Sequence, residues 1–164
     1  MGIEVTKLSI DEWIALTQDK DLSVPLMLHT TSGSMLPTIR MQEDTVVVIP
    51  CRINDVHPGD IVLVRKPDSP AGVVLHRLVR IRNGRLVTRG DNMPCPDGEE
   101  DAEALLGRAV AIDGPGKKVD CDSRLRRLQG KCIIHTYPLR PILFFARRGI
   151  RKLGRMMKQT GTQR

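Results

Sequence analysis

Aromatic residues are nearly missing from this chain of 164 residues, which holds one Trp, one Tyr and two Phe. A core must therefore be built from Val, Ile, Leu and Met. Proteins that hold single-stranded nucleic acid stack bases on aromatic rings, so nucleic acid is not an expected partner. No stretch approaches the ~18 consecutive apolar residues that a membrane-spanning helix needs. Glu4, Asp11, Glu12, Asp19 and Asp21 interrupt the early part of the chain, where a secretory leader would carry its apolar run. The expected location is cytoplasmic or peripheral at a membrane. Cys51, Cys95, Cys121 and Cys132 include no C-x-x-C pair, so zinc and thioredoxin-type chemistry lack their usual spacing. Free thiols are expected, and neither a metal nor an organic cofactor.

Acidic residues are also missing from one region. Residues 140–164 carry eight Lys or Arg and no Asp or Glu, against a net charge of +7 for the whole chain. The rest is therefore near neutral, and the basic end attracts phosphate, above all that of lipid headgroups. At helical spacing, Ile142, Ala146, Ile150, Leu153, Met156 and Met157 fall on one half of a wheel. Arg147, Arg148, Arg151, Lys152, Arg155 and Lys158 fall on the other. The pattern, with Phe144 alone on the wrong side, predicts a basic amphipathic helix over 142–158, suited either to docking on the domain with its charged face in water or to peripheral contact with an anionic membrane through 140–158.

What is present is globular in composition, with 40% hydrophobic residues, and fits one domain. Ser9-x-x-Glu12 is a capping box that predicts a helix to about Asp19, with Trp13 and Leu16 inward. Strands are predicted over 24–30, 45–49, 61–65, 73–82, 85–89 and 105–112. Asn83-Gly84 forms a hairpin between two of them, and 90–103 is a loop. A short helix over 122–129 precedes the basic helix. The division is an N-terminal helical segment (1–23), a mainly β domain (24–120) and a basic helical tail (121–164).

Three groups could do chemistry. Ser34 lies in Ser32-Gly33-Ser34-Met35-Leu36-Pro37, a turn of small residues after a strand, where Gly33 lets the backbone bend and a substrate approach. A hydroxyl needs a neighbouring base before it attacks. His76 interrupts the apolar run Val73-Val74-Leu75-His76-Arg77-Leu78. Imidazole ordinarily titrates near pH ~6.5, so it can accept a proton at neutral pH. Asp91 and Asp97 lie in the following loop, and either carboxylate could orient the base. Taken one by one, these residues also suit a plain turn, a packed strand histidine and solvated loop acids.

Their order and flanks carry more. Ser32-Gly33-Ser34-Met35-Leu36-Pro37-Thr38 resembles the nucleophile box of type I signal peptidases. Gly59-Asp60-Ile61-Val62 resembles the strand that follows it in that family, and His76-Arg77-Leu78-Val79 the base-bearing box in its histidine form. Thr88-Arg89-Gly90-Asp91-Asn92 is similar to the final box, and Leu106-Gly107-Arg108-Ala109-Val110 to the closing strand. The resemblance implies a signal-peptidase/LexA-like β fold and a serine endopeptidase that cuts signal or leader peptides after small residues. It implies Ser34 as nucleophile, His76 as general base and Asp97, six residues after Asp91, as third member. Asp91 is then a supporting acid, and the Ser32 hydroxyl joins the Ser34 N–H in an oxyanion hole. The loop Met93-Pro94-Cys95-Pro96 departs from the family's Asn- and Asp-rich form. The polar stretch from Ser9 to Leu22 stands where family members usually carry a membrane helix. Two rival readings are a self-cleaving LexA-like regulator, which would use lysine as its base, and a binding module without catalysis whose basic tail contacts membrane or nucleic acid.

Overall fold

The computed structural model describes residues 9–17 and 24–137. The predicted helix over 142–158 lies outside them. Ser9 Oγ accepts from the Glu12 backbone N–H at 3.2 Å, while Glu12 Oε2 accepts from the Ser9 N–H at 2.8 Å. This reciprocal cap starts α1 (Ile10–Leu16). Trp13 is fully buried, and its indole N–H donates to the Val24 carbonyl at 2.8 Å. Leu16 does not join it and is 51% exposed. The inward stripe runs from Trp13 to Thr17, which is buried and donates its hydroxyl to the Trp13 carbonyl at 2.7 Å. Around the helix Thr17 stands about 40° to one side of Trp13 and Leu16 about 60° to the other, so Leu16 falls at the edge of the buried face.

The strands are β1 (Leu26–His29), β2 (Thr45–Pro50), β3 (Ile61–Arg65), β4 (Val73–Arg82), β5 (Arg85–Arg89), β6 (Glu99–Asp101), β7 (Leu105–Gly114) and β8 (Lys117–Asp120). They form one antiparallel sheet in the order β1-β2-β7-β3-β4-β5-β6, with β8 beside the second half of β7. Beyond the sheet comes α2 (Arg124–Thr136). The fold is mainly β, as the sequence predicts.

Both faces of the sheet are covered. Ile61 and Leu63 enter one apolar cluster with Trp13, Met35, Val46, Val48 and Ile112. Val62 and Val64 enter a second with Cys51, Val56, Leu78, Leu86 and Leu105. That two-sided burial is why β3 reads as an unbroken apolar run rather than an alternating one. The same alternation sends His76 and Arg77 to opposite faces of β4.

Three elements differ from expectation. The predicted loop 90–103 contains β6, whose Glu-Glu-Asp sequence has little strand propensity. It pairs with β5 in register, Arg85 opposite Asp101, and the Arg85–Asp101 ion pair spans 3.0 Å. A further strand, β8, follows the Pro115-Gly116 turn, with Val119 as its one buried residue. The helix predicted to end at Gln129 continues to Thr136 because Gly130 packs against the chain at Gly59 and Tyr137 is anchored in the interior.

Candidate active site

The turn after β1 forms a 3-10 helix, Gly33–Met35, whose Met35 plugs the core and leaves Ser34 at the surface beside β4. His76 Nδ1 lies 2.6 Å from Asp97 Oδ2, and Nε2 lies 3.1 Å from Ser34 Oγ. An ionised carboxylate only accepts, so Nδ1 carries the proton toward Asp97 and Nε2 is left to accept from the Ser34 hydroxyl. Ser32 Oγ lies 3.1 Å from Ser34 Oγ. With the Ser34 proton directed at His76, the Ser32 hydroxyl donates to Ser34. The sequence-predicted residues Ser34, His76, Asp97 and Ser32 thus stand in one continuous chain of hydrogen bonds.

Asp97 is held from several directions. Its backbone N–H donates to the Thr88 carbonyl at 2.8 Å, and the Thr88 hydroxyl donates to Asp97 Oδ2 at 2.7 Å. Lys66 Nζ lies 3.8 Å from Asp97 Oδ1. Burial pushes this carboxyl up. The hydrogen bonds from His76 and Thr88, with the charge of Lys66, outweigh burial and hold it below the ordinary carboxylate value.

Asp91 serves a different cluster on the other face of β4. Its carboxylate accepts from Arg77 twice, Nε to Oδ1 at 2.8 Å and Nη2 to Oδ2 at 2.6 Å. The Thr38 hydroxyl also donates to Oδ2, and Tyr137 OH donates to Oδ1 at 3.0 Å. Arg77 Nη1 donates to the Gly59 carbonyl at 2.7 Å, at a turn where φ of +110° favours glycine. Burial raises the Asp91 carboxyl, and the Arg77 guanidinium, with Thr38 and Tyr137, brings it below its usual range. Asp91 does not contact His76 and lies in a buried ion pair.

The two clusters meet through Gly90 and Asn92. The Asn92 N–H donates to the Ser34 carbonyl at 2.7 Å, and its side-chain amide donates to the Gly33 carbonyl at 3.1 Å. A Cβ on Gly90 would stand 2.7 Å from the Ser34 carbonyl oxygen and 3.1 Å from His76 Nε2. Only a glycine lets the loop pass so close to the Ser34 turn.

A search of family models finds no match to the chain. A search of curated proteins finds a relative, the mitochondrial ATP-independent inner membrane protease subunit 1a of Arabidopsis thaliana. It is 25% identical over 138 residues, covering 79% of this chain and 80% of the relative. The match supports the resemblance to signal-peptidase-like proteins. The relative is a protease subunit, which supports peptidase at the level of the family.

Arg77, Thr88, Arg89 and Asn92 stand within the boxes that resemble signal peptidases, and the sequence alone assigns them no task. Thr88 and Asn92 sit one strand or one turn from the residues they hold, so the boxes themselves were the signal. Tyr137 had none. It reaches Asp91 across 46 positions of sequence, and the Arg89 guanidinium stacks 4.1 Å above its ring. Lys66 was equally silent, a lysine at the end of a strand.

Proposed function

We propose that this chain is a serine endopeptidase that cleaves signal or leader peptides, with Ser34 as nucleophile, His76 as general base and Asp97 as the carboxylate that orients it. The single observation that carries the reading is the linear hydrogen-bond chain from Ser34 Oγ through His76 to Asp97, at 3.1 and 2.6 Å. Attack by Ser34 Oγ on a peptide carbonyl transfers its proton to His76 Nε2, and the imidazolium is stabilised by Asp97. The proton then passes to the departing amine. Water, deprotonated by the same imidazole, releases the acyl group. The Ser34 backbone N–H and the Ser32 hydroxyl are the donors for the oxyanion, and a single such donor contributes about 3–4 kcal/mol in characterised enzymes.

The substrate binds as an extended strand. β1 ends the sheet order, so one of its edges has no neighbouring strand among the described residues, and it leads directly into the Ser34 turn. Backbone pairing along that edge would carry the scissile bond to Ser34. Cleavage after small residues follows from the family resemblance. Among the described residues no helix is long and apolar enough to cross a membrane. The relative's name places it at an inner membrane, and a membrane-peripheral location, with the basic 140–158 segment on anionic lipid, is part of this proposal.

The test is labelling with a serine-directed acylating probe, read by intact mass. Wild type should gain one acyl group on Ser34. Ser34→Ala should gain none, and His76→Ala should react far more slowly. Equal labelling of wild type and His76→Ala would refute the assignment of the base.

A further inference from the structure

The helix α2 shows two apolar faces. Its inner face is Gly130, which is buried, with Ile133 and Ile134 half-buried against the domain. At 100° per residue, Leu125, Leu128 and Cys132 fall together on the opposite side. Leu125 is 80% exposed and Leu128 60% exposed, and the Cys132 thiol is free and exposed. This outward stripe has nothing against it among the described residues. The helix orientation is fixed by Gly130 against Gly59 and by buried Tyr137 at its end, which excludes turning the stripe inward.

The charge around the stripe selects its partner. Arg124, Arg126, Arg127 and Lys131 are all exposed, and α2 contains no Asp or Glu. Arg124 and Lys131 lie along one border of the stripe. A second copy of the chain would bring two acid-free cationic helices together. The 140–164 segment would do the same, since it too carries only positive charge. Either pairing is repelled. Three side chains on one helix also fall well short of the ~800 Å² per partner that a specific protein interface buries. An apolar strip with cations along one border instead matches an anionic bilayer surface, where the cations meet lipid phosphate and the apolar side chains enter the acyl boundary.

We propose that the outward face of α2 is a membrane-contact surface, with Arg124 and Lys131 on anionic phospholipid headgroups and Leu125, Leu128 and Cys132 in the interface. It is a second contact, distinct from 140–158, and stands whether or not the chain cleaves peptides. The full-length chain carrying Cys95→Ser and an environment-sensitive fluorophore on Cys132 is mixed with vesicles of phosphatidylglycerol and phosphatidylcholine, or of phosphatidylcholine alone. Emission should shift to the blue with the anionic vesicles only, and high salt should reverse it. In the unlabelled full-length chain, L125E/L128E should lower vesicle partitioning roughly tenfold. Its thermal stability and its cleavage of a soluble peptide should be unchanged, because both positions face water. The proposal is overturned if wild type does not bind the vesicles, or if it binds while the Cys132 probe stays water-like. Vesicle binding by L125E/L128E equal to wild type overturns it too, as does a probe shift that follows self-association or an acidic protein rather than lipid.

Discussion

His76 and Arg77 are neighbours in β4, and each faces an aspartate, yet the two pairs are built for different ends. The Arg77–Asp91 pair is saturated. Its carboxylate takes four hydrogen bonds from three side chains, and it lies between the sheet and α2. The His76–Asp97 pair is open at one end, where Nε2 meets a hydroxyl at the surface. A closed network rigidifies, whereas an open one can pass a proton on. Alternation along a single strand therefore places a closed ion pair on one face and an imidazole open to a hydroxyl on the other, one residue apart.

Asp97→Asn should have the largest effect. It favours the wrong imidazole tautomer and should lower kcat on a peptide substrate by about 10⁴-fold, with a loss of stability much smaller than that of Arg77→Met. Arg77→Met should do the reverse. Removing one member of a buried pair should cost about 3–5 kcal/mol of stability, read by urea unfolding. If Arg77→Met lost activity at full stability, the division between the two faces would fail. Gly90→Ala joins both sides, since its Cβ would press on the Ser34 carbonyl. Misplacing the nucleophile turn should cut kcat by roughly 10²-fold with only a modest loss of stability. Tyr137→Phe removes one of the four bonds to Asp91 and should cost only about 1–2 kcal/mol in the same unfolding assay.

Acid sharpens the contrast from another direction. Asp44 is inaccessible to solvent. Burial raises its carboxyl, but the Arg40 N–H and the Lys117 and Arg40 side chains bring it from 3.8 down to about 2. Its folded value lies below its unfolded one, so its contribution is complete above pH 3.8 and is lost as pH falls toward about 2. Asp91 and Asp97 are shifted in the same direction. Thermal midpoints should therefore fall steeply below about pH 4, and the fall should be shallower in Asp44→Asn than in wild type.

Much of this was legible in the chain. β3, β4 and β5 fall on their predicted bounds because β-branched runs and Asn83-Gly84 fix both the strands and the turn between them. Of the residues that form the hydrogen-bonded chain, Ser32, Ser34 and His76 stand in ordered boxes of the sequence, and Asp97 follows the Asp91 box. What escaped were elements held by tertiary partners. β6 is a run of acids that becomes a strand because Arg80 and Arg85 of β4 and β5 face it. The last turns of α2 depend on one tyrosine finding a carboxylate in a distant loop. Neither has a local pattern, because the stabilising group lies far along the chain.

The excursion from Gly90 to Asp97 is cinched at its two ends, by Asn92 on the Ser34 carbonyl and by Asp97 on the Thr88 carbonyl, with Arg89 gripping the Met93 carbonyl inside it. Between residues 93 and 96 the composition is therefore nearly free while the length is not, which is how Met93-Pro94-Cys95-Pro96 can replace a polar stretch. Drift in spelling is tolerated there, and a single inserted or deleted residue would detach the orienting acid from its ring.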